Sequence, residues 1–316
     1  MKTKFVYILI SSVLFLLIFL PNNAQAEVCD ALSSFNNTQN DASAVIQNCI
    51  NNAPIGGIVE LPAGKYYVRH KVNIDKPVKL STWGKTELMP RCQYGSIGEC
   101  AEIIASSDFD GVDGIFDFNS QASGAKVDHL IFNGNNLQRI SSNSATKCAT
   151  VSNAYGFNVT MKCDDCVFTN SISKNSLCGT ALGISSHKNA IVSNNLFAFN
   201  GFHNKNMLWS DGLTVGECQN CVFTNNTFVD NTDVDNIYGG CVNCQIKNNF
   251  IRHTKLFSGA SFAALMIQSW PGQRGEYTGT TISNNTIDCG PNYRCGFGLL
   301  VGGDPWYQVN TYGGSI

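Results

Sequence analysis

A chain of 316 residues with a formal net charge of −2 and only 14% charged residues has no long basic or acidic run, so neither nucleic acid nor a lipid surface is favoured as a partner. Its 29 glycines and abundant asparagines suit a repetitive β protein with many tight turns, because both residues tolerate left-handed backbone. A helical protein would want more Glu, Lys, Ala and Leu.

Residues 1–26 read as a secretory signal. Lys2 and Lys4 give the positive start, an apolar run spans Phe5 to Leu20, Pro21 ends it, and Ala24-Gln25-Ala26 supplies a small-x-small cleavage pattern. The run of about 15 apolar residues is short for a bilayer span, which needs roughly 20. The expected mature chain, residues 27–316, is one secreted domain with no membrane contact, extracellular or periplasmic. Fourteen cysteines behind such a leader imply several disulfides formed in an oxidising compartment.

Asn40 to Ala53 places Ala42, Val45, Ile46, Cys49 and Ile50 at helical spacing, with Asp41 as its cap. Gly56 to Val68 follows as two short strands around Pro62-Ala63-Gly64. In the second half a repeat emerges. Cys166-Val-Phe-Thr-Asn170, Ala190-Ile-Val-Ser-Asn-Asn195, Cys221-Val-Phe-Thr-Asn-Asn226, Cys244-Gln-Ile-Lys-Asn-Asn249 and Thr280-Thr-Ile-Ser-Asn-Asn285 share one pattern. Period 2 puts Phe168, Val192, Phe223, Ile246 and Ile282 on one inward face. The segment starts advance by 24, 31, 23 and 36 residues, which a coil of about 23 residues with loop insertions explains, as a solenoid tolerates. A second strand precedes each segment (Leu182–Ile184, Leu213–Val215, Asn236–Tyr238, Ala264–Ile267, Leu299–Val301), and a third follows the Asn corner (Thr227–Val229, Phe250–Arg252). Three short strands per coil define an all-β fold, a single-stranded right-handed parallel β-helix.

In this register Asn194, Asn225, Asn248 and Asn284 are expected to stack at one corner and hydrogen-bond along it. Of the Cys-x-x-Cys pairs, Cys218 stands over Cys241 and Cys221 over Cys244. The strand spacing of about 4.8 Å lies in the range a disulfide accepts, which favours buried thiols or disulfides over zinc. Tyr312–Ile316 lines up with Tyr277–Ile282, so the final coil is expected to stop in mid-strand.

The capping helix followed by Gly-Gly-x-Val-x-Leu-Pro-Ala-Gly-x-Tyr resembles the opening of the pectate-lyase-like superfamily, and the resemblance covers residues 40 to 316. It implies that the helix closes the N-terminal end of the solenoid. Trp209-Ser-Asp-Gly212 is similar to the Asn-Thr-Asp-Gly motif of polygalacturonases, and Asp230-Asn-Thr-Asp-Val-Asp235 stands where they carry paired aspartates. Their Gly-His-Gly would fall near Ser258–Phe262, where no histidine stands, and their Arg-x-Lys clamp has only Arg274 as a loose counterpart.

The Cys218–Cys241 register sets Asp233 opposite Ser210, Asp235 opposite Gly212 and Asp211 opposite Val234, so Asp211, Asp233 and Asp235 crowd one edge. Inverting glycoside hydrolysis uses two such carboxyls, one as acid and one as base, and crowding raises one pKa. His253, stacked on Asp230, supplies an imidazole. Trp209, Asp230, His203, Tyr238, Lys255 and Trp270 are candidate substrate-binding residues, with Trp306 and Tyr307 among the nearby aromatics. The hydrolase needs no cofactor. A lyase or epimerase would use His203, His253 or Lys255 as base, with Ca²⁺ held by the aspartates. The residues thus point to a carbohydrate-active β-helix with an acidic polysaccharide as substrate. Against this stands a binding or structural β-helix whose aspartates only cap turns.

Overall fold

The computed structural model describes residues 26–96, 98–185, 188–202, 208–254, 261–291, 294–302 and 309–314. The expected leader therefore falls outside the described residues, apart from Ala26. Three parallel sheets of nine, eight and eight strands run the length of the molecule. Each coil contributes one short strand to each sheet, in a fixed order, which is a parallel β-helix; the right hand is the one such crossovers take. No helix among the described residues is long and apolar enough to cross a membrane.

Register agrees with the repeat. Phe168, Val192, Phe223, Ile246 and Ile282 form one column of the nine-stranded sheet, and the first four are fully buried. Leu182, Leu213, Asn236, Leu265 and Leu299 form another, in the sheet that precedes each segment. A stack of inward rings follows the axis, from Phe116 through Phe132, Phe168 and Phe197 to Phe228, with centroids 5.1–6.2 Å apart. Apolar burial on this scale is the main favourable term of the fold.

The N-terminal helix spans Ser43–Asn52. Its apolar residues Ile46 and Ile50 are fully buried and join the inner core with Ala42. Asp41 caps from one residue further out than the N-cap Ala42, accepting from Ser43 N at 3.0 Å. Strands Ile58–Leu61 and Gly64–Val68 flank the Pro-Ala turn.

Three expectations change. The first asparagine of each pair is the turn residue: Asn194, Asn225, Asn248 and Asn284 have φ of 55–57°, a left-handed conformation that Asn accepts better than most residues. Of these, Asn225, Asn248 and Asn284 are exposed. The continuous ladder belongs to the second asparagine. Asn195 Nδ2 donates to Asn226 Oδ1 (3.0 Å), Asn226 Nδ2 to Asn249 Oδ1 (3.1 Å) and Asn249 Nδ2 to Asn285 Oδ1 (2.9 Å). The left-handed residue turns the chain, and its successor is carried inward.

Disulfides join all fourteen cysteines, and the Cys-x-x-Cys pairs close on themselves: Cys163–Cys166, Cys218–Cys221 and Cys241–Cys244. Cys218 does stand opposite Cys241, but the bend at the corner brings residues i and i+3 to Cα separations of 5.7–6.0 Å, and the bond forms within the coil. The remaining bridges are Cys29–Cys49, Cys92–Cys100, Cys148–Cys178 and Cys289–Cys295. Near the C-terminus Tyr312 bridges Glu276, one residue off the expected pairing with Tyr277.

Candidate active site

The strands Ser210–Gln219, Val234–Val242, Ser261–Ile267 and Cys295–Val301 lie side by side. At their starts an irregularity decides which side chains face out. Asp211 and Leu213 would share a face in a regular strand. Here Thr180 pairs with Asp211, Val234 N reaches the Asp211 carboxylate, and Val234, Ala263 and Phe297 continue in register, while Leu182, Leu213, Asn236, Leu265 and Leu299 form the next column and the residue between is unpaired. Leu213 therefore enters the core, and Asp211 stays half-buried on the outer edge.

Asp211 Oδ1 accepts from Val234 N at 3.0 Å, and Oδ2 accepts from the Thr214 hydroxyl at 2.6 Å. These bonds favour the carboxylate, but burial and the neighbouring charge of Asp233 outweigh them, and the pKa of Asp211 is raised well above the ordinary value. Asp233 is half-buried one coil on; Phe262 N donates to its carbonyl at 2.6 Å. Strand spacing and rise put the Asp211 and Asp233 Cα atoms about 6 Å apart. Trp209, 39% exposed, precedes them at the rim. Beyond them Phe262 and Phe297 pack at a centroid distance of 5.4 Å.

Asp235 is separated from this pair. It is fully buried, with Oδ1 accepting from Asn231 Nδ2 (2.8 Å) and Oδ2 against His253 Nε2 (2.7 Å). Ser261 Oγ lies 3.1 Å from the same ring nitrogen, and Asp230 Oδ1 lies 3.7 Å from Nδ1. Burial pushes the His253 pKa down, but the Asp235 charge and hydrogen bond and the Asp230 charge win against it and against Arg294, so the net shift is upward. Asn231 Oδ1 accepts from Asn200 Nδ2 at 2.7 Å, which extends this network along a second corner of the solenoid.

Several candidate residues have other places. Tyr238 is fully buried beside Phe223 at 5.1 Å and cannot stack on a sugar; it continues the inward column of Val215 and Ile184. Asp230 is buried and accepts from Thr254 N (2.7 Å) and Oγ1 (2.6 Å), which makes it a corner cap rather than a substrate contact. Trp270 is half-buried against the wall, packed on the cluster of Val234, Ile237, Ala263, Met266 and Leu300. Arg274 pairs with Glu217 at 3.3 Å, in a groove that also involves Asp164, Lys188 and Glu276 and lies about 20 Å along the strand from Asp211. His203, Lys255, Trp306 and Tyr307 lie outside the described residues.

The donor set does not suit Ca²⁺ as the sequence allowed. Both oxygens of Asp211 and of Asp235 are already engaged, and no group of three acidic, histidine or cysteine side chains converges among the described residues. Sequence reasoning missed Thr214, the Phe262–Phe297 pair and the Asn200–Asn231 network. Asn200 and Asn231 carried a legible signal, since each stands about five residues after a ladder asparagine.

No protein-family model matches the chain, and no curated protein matches it. Among solved structures it is similar to endo-xylogalacturonan hydrolase from Aspergillus tubingensis, with 16% identity, 87% of this chain and 75% of that one covered, and a TM-score of 0.50. It is also similar to a Family 28 exopolygalacturonase from Yersinia enterocolitica (13% identity, 89% and 68% covered, TM-score 0.46). A third is tailspike gp49 of Acinetobacter baumannii bacteriophage Fri1, a capsular polysaccharide depolymerase (13%, 92% and 65%, 0.44). At such identities the likeness to the xylogalacturonan hydrolase shows the fold alone, a parallel β-helix, and the activity has to be read from the site.

Proposed function

We propose that this protein is a secreted polysaccharide hydrolase acting on a chain that contains uronic acids, with Asp211 as proton donor and Asp233 as base. The observation that carries the reading is a pair of half-buried carboxyls on neighbouring coils of the open edge, Asp211 and Asp233. Asp211 is held toward its neutral form by burial and by the charge of Asp233 one coil away. A carboxyl held neutral beside a second carboxylate is what a general acid requires. Asp211 would protonate the glycosidic oxygen while Asp233 takes a proton from water on the opposite face of the sugar, which inverts the anomeric centre. The buried Asp235–His253 pair acts indirectly. Through Asn231 it braces the turn that carries Asp233. Trp209 at the rim offers a ring for stacking.

The choice of a uronate polymer rests on the likeness to a xylogalacturonan hydrolase fold and on the Trp-Ser-Asp-Gly resemblance. Secretion is supported by the leader sequence and by seven disulfides. A second reading, a glycan-binding protein without catalysis, is favoured by one feature: beyond Val234, which bonds the Asp211 carboxylate, the neighbouring strands carry Ala263 and Phe297 in register rather than a cationic residue. A panel of polygalacturonate, xylogalacturonan and alginate, read for new reducing ends and for absorbance near 235 nm, separates the readings. Reducing ends without absorbance support hydrolysis. Absorbance means elimination, and silence on every polymer with retained binding supports the second reading.

A further inference from the structure

A second concave site lies on a different sheet, beneath the loop of residues 83–100. It has a volume of 270 Å³, and its lining includes Lys65, Gln93, Tyr94, Glu102, Asn133 and Lys174. We propose that it binds one carboxylate-bearing pyranose of an acidic polysaccharide, with Tyr94 as stacking platform and Lys65 as partner of the sugar carboxylate.

The floor is fixed in charge and position. Glu102, 9% exposed, takes Lys174 Nζ at 3.0 Å and Asn133 Nδ2 at 2.8 Å on the same oxygen. Asn133 Oδ1 in turn accepts from Asn135 N and from Asn175 Nδ2. Lys174 is thereby neutralised. Lys65 is half-buried opposite Glu102 in the strand register, and no side-chain ion pair or hydrogen bond holds its ammonium among the described residues; the lining thus sets two ammonium groups against one carboxylate and keeps a net positive charge. Lys174 Nζ also lies 5.2 Å from the centre of the Tyr94 ring, and Phe199 lies 5.3 Å from it. These contacts hold the ring while 55% of the residue stays exposed.

The roof is anchored independently of any ligand. The Cys92–Cys100 disulfide closes the loop. Arg91 Nη1 donates to Asn195 O (2.8 Å) and Thr227 Oγ1 (3.1 Å), and His129 Nε2 lies 3.0 Å from Pro90 O. Such a pocket is formed before the ligand arrives, which lowers the cost of binding. An aromatic face in a pocket of net positive charge suits the apolar face and carboxylate of a uronic acid. A free phosphate would use the charge and ignore the ring.

The site is separate from the Asp211 edge, and its ligand class rests on the proposed function only in the choice of polymer. The test is calorimetric titration of Asp211→Asn protein with galacturonate and mannuronate trisaccharides, with the galacturonate methyl ester and inorganic phosphate as comparisons. One of the acidic trisaccharides should bind, at least tenfold more weakly to D211N proteins that also carry Tyr94→Ala or Lys65→Met, and the ester should bind at least tenfold more weakly than the acid. Equal affinity in both pocket variants, equal affinity for the ester, or no binding of either trisaccharide overturns the proposal. Phosphate binding that depends on Lys65 but not on Tyr94, without trisaccharide binding, also overturns it. Reducing-end release by the single pocket variants on short soluble substrate should match the unsubstituted protein. Tyr94-dependent binding in a protein that hydrolyses nothing would leave this site standing and remove the proposed activity.

Discussion

Replacing Asn226 by Ala tests the division of labour within the Asn-Asn pairs. Asn226 Oδ1 accepts from Asn195 N (3.2 Å) and Asn195 Nδ2 (3.0 Å), and Asn226 Nδ2 donates to Val192 O (2.9 Å) and Asn249 Oδ1 (3.1 Å). All of these groups are buried, so truncation removes four hydrogen bonds where water does not easily replace them, although Asn249 Oδ1 keeps its bond from Asn226 N and Asn195 Nδ2 its bond to Phe168 O. At about 1 kcal/mol for each net hydrogen bond the cost is about 4 kcal/mol, a large share of the 5–15 kcal/mol typical of a folded domain. Asn225→Ala removes no side-chain bond of this ladder and should cost only about 1 kcal/mol, because alanine keeps the Cβ but lacks the short polar side chain that lets asparagine tolerate left-handed backbone; Asn225→Gly should cost nearly nothing. Guanidinium unfolding with the disulfides intact, followed by far-UV circular dichroism, gives the three midpoints. If Asn225→Ala proved as damaging as Asn226→Ala, the ladder would belong to the first asparagine and the corner geometry described above would be wrong.

Asp211→Asn should stabilise the protein at pH 7. A carboxyl whose folded pKa is raised loses folding stability as pH climbs above its unfolded value of about 3.9, so the gain should vanish below about pH 4 in melts across pH. His253 has the opposite sign of charge. Its raised folded pKa gives stability that is complete below the unfolded value of about 6.5 and fades as pH rises through the folded value, so the deficit of His253→Asn should shrink toward alkaline pH. Loop length separates the disulfides. The chain-entropy relation gives about 2 kcal/mol for Cys218–Cys221, three residues apart, and about 3.5 kcal/mol for Cys148–Cys178, thirty apart. Paired Cys→Ser variants, compared by thermal melts, should rank in that order.

The second half of the solenoid was legible because its signal is periodic. Cys218 over Cys241 fixed a register that sets Asp211 opposite Val234, and the strand pairing keeps that offset from Leu213 over Asn236 to Gln219 over Val242. The exact direction of each side chain was not legible. The skipped residue between Asp211 and Leu213 overrides strand parity, which turns Asp211 outward and hides Asp235 against His253. Tyr238 reads as an exposed aromatic only until its inward column is known. The Cys-x-x-Cys pairs depend on a bend at the corner that spacing alone does not show. The 83–100 loop has no period at all, and its course over the third sheet is set by contacts such as Arg91 to Asn195, 104 residues away in sequence.

Release of reducing ends from the responsive polymer, compared between the unsubstituted protein, Asp211→Asn and Asp233→Asn after each is shown to be folded by circular dichroism, addresses the central claim most directly. Loss of at least 100-fold in both variants, in line with the 10²–10⁴-fold that positioned acids and bases contribute, is the predicted result. Full activity in either variant would contradict it and place the chemistry elsewhere on the solenoid.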